Sequence, residues 1–150
     1  MTTTTPEARA ARAALLFAAF YAAHEVGDHW IQRHGDALAK GQPGAEGRAA
    51  CARHVATLTA AKAAAAAAAV AVTGMRVRPG RLAGAMLADA LSHYVIDRRR
   101  PLARLADRVG KTEFYELGSG TAAPCGTGAY ALDQSAHITA LWVAAITAAR

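Results

Sequence analysis

Asp89, His93 and Asp97 fall four residues apart in the stretch Asp89-Ala-Leu-Ser-His93-Tyr-Val-Ile-Asp97. Side chains at that spacing stack on one face of a helix. The three therefore form a polar stripe on a segment that is otherwise mostly apolar. The same chemistry recurs along the chain: His24 and Asp28, with Gln32 one turn on, then His54, then Asp133 and His137. Polar groups on apolar helices are costly to bury without partners. The reading that explains all of them at once is a shared metal site. Its candidate ligands are His24, Asp28, His54, His93, Asp97, Asp133 and His137.

Four imidazoles and three carboxylates make a mixed nitrogen and oxygen donor set. Such sets suit zinc, and also iron(II) or manganese. Helix bundles build these sites from inward-facing side chains at i and i+3 or i+4 on several helices. Seven groups exceed the four that one tetrahedral ion needs. Either two ions share the site, or some groups orient the others. Glu25, Asp89 and Gln134 are the candidates for orienting roles outside the ligand set. The competing readings are a buried ion-pair network and separate ion pairs on the helix surfaces. Cys51, one turn before His54, is read as a small apolar filler in preference to an extra ligand. His29 and His34 lie off the stripe and are read as solvated.

These groups need long helices to carry them. The chain has 150 residues, 53% of them hydrophobic and only 19% charged. Its mean hydropathy is nevertheless only +0.12, because alanine supplies much of the apolar mass. Alanine is the best helix former, so the expected fold is all-α. Four segments are expected: about Ala8 to Arg33, Arg48 to Thr73, Leu82 to Asp97, and Ala129 to Ala149. Gly74 is the expected C-cap of the second, and Pro101 the stop of the third. Residues 1–7 are read as a disordered tail without the pattern of a signal peptide, and 8–150 as a single four-helix domain. His34 to Gly47 reads as a loop, since it holds Gly35, Gly41, Pro43, Gly44 and Gly47. Leu102 to Val109 reads as a short surface helix. Gly110 to Gly128 reads as a long glycine-rich loop, either capping the site or disordered.

The polar groups sit late in segment one, early in two, late in three and early in four. In an up-down bundle all of these positions lie at the same end. The segments are also apolar enough to suggest a bilayer, although only the second and fourth have the length of a full span. Small residues would let the helices pack closely in lipid. Lys62, alone in the apolar half of segment two, is read as snorkelling. Basic residues concentrate in the loops on the cluster side, which by the positive-inside tendency places the site on the cytoplasmic face. The formal charge is +6, but it lies between apolar segments rather than on a binding face, which argues against nucleic acid. Cys51 and Cys125 form no paired motif.

The ordered motifs resemble a family of small uncharacterised bacterial membrane proteins, domain of unknown function 3307. The resemblance rests on His24-Glu-Val-Gly-Asp28 with Gln32, on His54, on His93-Tyr-Val-Ile-Asp97, and on Asp133-Gln134-Ser-Ala-His137. It runs from about Tyr21 to Leu141. It implies an integral helical protein of the bacterial cytoplasmic membrane and no particular activity. Two functions follow from the residues. The first is a metal-dependent hydrolase, with Asp28 or Asp133 free as general base and Lys111 or Arg98 to Arg100 drawing an anionic small-molecule or lipid substrate. The second is a membrane scaffold, read as a homo-oligomer, in which the cluster only holds the helices together.

Overall fold

The computed structural model describes residues 5–121 and 125–150. These form α1 (Pro6–Val26), a π-turn (Gly27–Ile31), α2 (His34–Ala39), α3 (Gly44–Thr73), α4 (Pro79–Asp97), α5 (Arg100–Arg108), α6 (Thr112–Glu116) and α7 (Gly128–Ala149). The described residues are all-helical and contain no strand.

Local chemistry sets most of the helix ends. The Thr5 hydroxyl accepts from the Ala8 N–H at 3.3 Å, and Pro6 occupies the first turn, where its missing N–H costs nothing. Residues 1–4 lie outside the described residues. α3 ends at Gly74 in the left-handed conformation (φ 67°), which a residue without a Cβ adopts freely. The Thr127 hydroxyl caps α7 by accepting from the Tyr130 N–H. Pro101 does more than stop α4: it sits in the first turn of α5.

Two expected loops hold helix instead. His34 to Gly47 carries α2 and the first turn of α3. An ion pair, Arg53 Nη2 to Asp36 Oδ1 at 2.6 Å, ties α2 to α3. Arg53 beside Asp36 also holds that carboxyl below its usual range. The glycine-rich stretch carries α6, and the Gly128 N–H donates to the Leu117 carbonyl at 2.9 Å. Residues 122–124, including Pro124, lie outside the described residues.

The four long helices contact one another in a ring: α1 packs on α3 and α7, and α4 packs on α3 and α7. Each contributes an inward stripe at a spacing of four. The stripes are Leu16-Phe20-His24, Ala66-Lys62-Leu58-His54, Ala85-Asp89-His93-Asp97 and His137-Leu141-Ala145-Ala149, all buried. Leu16, Phe20, Ala66, Ala85, Leu141 and Ala145 meet in one apolar cluster, and the histidines lie beyond it. The outward stripe of α4 is the reverse of an ordinary surface. Leu87 and Leu91 are 62% exposed and Val95 50%, while Asp89, His93 and Asp97 face inward.

Gly47 marks a close approach. A Cβ there would collide with the Gln42 carbonyl, and would meet the Ala39 carbonyl at 3.0 Å. Gly47→Ala therefore has to displace the 39–43 turn. The expected cost is about 1–3 kcal/mol, read as a lower midpoint in thermal unfolding. An unchanged midpoint would show that the turn yields freely.

Candidate metal centre

His24, His54, His93 and His137 come from four different helices and are all 0–2% exposed. His93 is the hub. Its ring centroid lies 5.6 Å from His24, 5.1 Å from His54 and 3.9 Å from His137, the last pair stacked. His24 and His137 lie 5.2 Å apart.

The donor atoms converge more tightly than the rings. His54 Nε2 and His93 Nε2 are 3.1 Å apart. His54 Nε2 is 3.2 Å from Asp28 Oδ1 and 3.3 Å from Asp97 Oδ2. His93 Nε2 is 3.2 Å from the same Asp97 oxygen. In a tetrahedral zinc site with bonds near 2.0–2.1 Å, neighbouring ligand atoms lie about 3.3 Å apart. The four separations match four of the six edges of such a polyhedron. Asp28, His54 and His93 form one group able to hold an ion, and His93, Asp97 and His137 another.

Polar satisfaction points the same way. Asp28 Oδ1, Asp97 Oδ2 and His137 Nε2 are buried and lack a hydrogen-bond partner. Buried polar atoms are nearly always paired, so converging unpaired acceptors call for a proton or a cation among them.

His137 Nε2 stands 3.6 Å from both Asp97 Oδ1 and Asp133 Oδ2, and Asp133 is the most exposed candidate ligand, its side chain 24% accessible. His24 Nε2 sits 3.7 Å from Asp28 Oδ2 and 3.3 Å from the Gln134 amide oxygen. Gln134 therefore touches an imidazole of the cluster. Glu25 does not: it turns outward and pairs with His29, whose ring also meets the Tyr130 hydroxyl at 3.3 Å. The physical reason is its position one residue along the helix from His24, about 100° off the inward stripe. Asp89 likewise orients no imidazole, because its partner is Lys62. Cys51 is fully buried and directs its thiol toward the Tyr94 carbonyl.

Two residues outside the expected set complete the site. Lys62 does not snorkel; it is 2% exposed and forms a buried ion pair with Asp89. Its spacing held the signal, since Lys62 stands two turns from His54 on the stripe through Leu58. Lys40 reaches in from the turn between α2 and α3 and places its ammonium 2.9 Å from Asp97 Oδ1. Nothing in its local sequence marks it, because that turn is positioned from a distance. Arg98, next to Asp97, donates to the carbonyls of Lys40 at 2.6 Å and of Gln42 at 2.5 Å.

No family model, curated protein or solved structure matches this chain.

Proposed function

We propose that this protein is a membrane-embedded, metal-binding up-down four-helix bundle. The observation that carries the metal reading is the set of Nε2 and carboxylate oxygen atoms facing one another at 3.1–3.3 Å, with Asp28 Oδ1 and Asp97 Oδ2 buried among them. Asp28, His54, His93 and Asp97 would hold the ion, and zinc fits this donor set best, with iron(II) or manganese the alternatives. A bound divalent ion would supply Lewis acidity and an acidified water.

The bilayer reading is supported by the inverted helices: imidazoles and carboxylates inside, and Leu87, Leu91, Val95, Trp142 and Val143 outside. By length and composition α3 is the one described helix able to cross a membrane, α7 not being apolar enough, and only 17% of the α3 apolar window is buried against the rest of the chain. Ionisable groups at membrane depth must pair or bind ions, as every buried carboxylate here does. In this reading the site lies at the cytoplasmic end, where Arg98, Arg99 and Arg100 follow α4. The ordered motifs support membership in the domain of unknown function 3307 family.

Hydrolysis is the second reading. It is favoured by the partial exposure of Asp133, which gives the cluster one wet edge. Asp133 would there be the general base, and the arginines after α4 would attract an anionic substrate. If the edge stays closed, the ion only ties the helices together.

Elemental analysis of protein purified in detergent tests the metal reading. We expect zinc, iron or manganese in stoichiometric amount, removable by a chelator and restored by the ion. A chain that binds none of the three would end it. Alkaline carbonate washing tests the bilayer reading, which requires the chain to stay with the membrane pellet.

A further inference from the structure

Asp97 uses its two oxygens differently. Oδ2 faces His54 and His93, on the side where the first ion would bind. Oδ1 faces His137 at 3.6 Å, and His137 faces Asp133 at the same distance. A second ion would sit on this side, where His93, Asp97 and His137 form the other group able to hold one, with Asp133 Oδ2 3.6 Å from His137 Nε2. The Lys40 ammonium lies against Oδ1 on that side, at 2.9 Å.

We infer that Lys40 is the built-in second cation of this centre, so that the site takes one divalent ion and excludes another. This rests on the metal-binding reading above. Charge balance supports it. Asp28, Asp97 and Asp133 bring three negative charges, and the imidazoles bind as neutral ligands. One divalent ion and one ammonium neutralise them. Two divalent ions beside Lys40 would leave two positive charges uncompensated in a buried site, which is strongly unfavourable. The remaining buried pair, Lys62 with Asp89, is neutral by itself.

The fold holds Lys40 in place by design of the turn, not by chance of a long side chain. Arg98 grips the carbonyls on both sides of Gly41, and Arg99 donates to the Ala37 carbonyl at 3.2 Å. Both arginines follow Asp97 directly in the chain. The same helix end thus provides the carboxylate and fastens the turn that brings its counter-ion. The side chain of Lys40 is only 12% exposed, so the ammonium is not exchanged for water at little cost.

Native mass spectrometry and titration calorimetry with zinc and with manganese give the stoichiometry directly. The wild type and Lys40→Arg, which keeps the charge, are expected to bind one ion per chain. Lys40→Met, of similar length but neutral, cuts the excess positive charge of a two-ion site from two to one and is expected to bind two. If Lys40→Met does not yield folded protein, Arg98→Ala replaces it: this variant keeps Lys40 but releases the turn, and a second equivalent is expected there too. Two ions on the wild type, or a single ion on the folded neutral variant with the metal in millimolar excess, would overturn the role of Lys40. No ion on the wild type would instead remove the metal-binding reading, and this inference with it.

Discussion

Replacing His93 by Ala is expected to weaken metal binding by about 100- to 1000-fold. A structural zinc site is worth roughly 10–16 kcal/mol in total. Divided over four ligands that is about 2.5–4 kcal/mol for each, and every 1.4 kcal/mol is a factor of ten. His93 should show the full effect, because it belongs to both candidate ligand groups and its ring touches the other three imidazoles. His29→Ala is the matched control. That ring is exposed, and its contacts are the Glu25 carbonyl and carboxylate and the Tyr130 hydroxyl, so its loss should leave the metal content unchanged. Elemental analysis of both variants decides the matter. Equal metal in His93→Ala and wild type would remove His93 from the ligand set and with it the geometry proposed here.

The second large effect concerns the other buried charges. Lys62 and Asp89 are almost fully enclosed between α3 and α4, with side chains 3% and 5% exposed. Removing one partner of such a pair leaves the other charge uncompensated, at about 3–5 kcal/mol. For a chain of this size each kcal/mol moves the unfolding midpoint by about 2–4 °C, so Lys62→Ala is expected to lower it by roughly 10 °C. The double variant Lys62→Met with Asp89→Leu should recover most of that loss, since apolar side chains of similar volume replace buried ion pairs at little net cost. Thermal unfolding of both proteins in the same detergent checks this. If the single variant unfolds within about 2 °C of wild type, water reaches the pair and it is not buried in the working molecule.

The two predictions separate cleanly because the sites use different atoms. Asp89 stands one turn from His93 on the same stripe, but its partner is on α3 and it touches no imidazole. Lys62→Ala should therefore reduce stability while leaving the number of bound ions as it was. His93→Ala is expected to lower the number of bound ions, which Lys62→Ala leaves unchanged.

Much of the candidate site was legible in the amino-acid order, because the helix period is a local property. Histidine and aspartate four apart must share a face, and the alternation of early and late positions along successive helices brought the four imidazoles to one level. The abundance of alanine determined the all-helical character by the same local logic. Gly74 stopped α3 for a reason visible in one residue, its tolerance of positive φ.

Only the tertiary structure decided which neighbours each group meets. Glu25 and Gln134 looked alike as orienting residues, yet one faces solvent and the other touches His24, because a single position along a helix turns a side chain by about 100°. Lys62 became a buried partner of Asp89 because two stripes from different helices met at one height. Lys40 entered the site because Arg98, 58 residues away in the chain, holds its turn against α4. Pairings across such distances depend on how helices pack, and packing is a property of surfaces brought together from the whole chain, which local spacing does not encode.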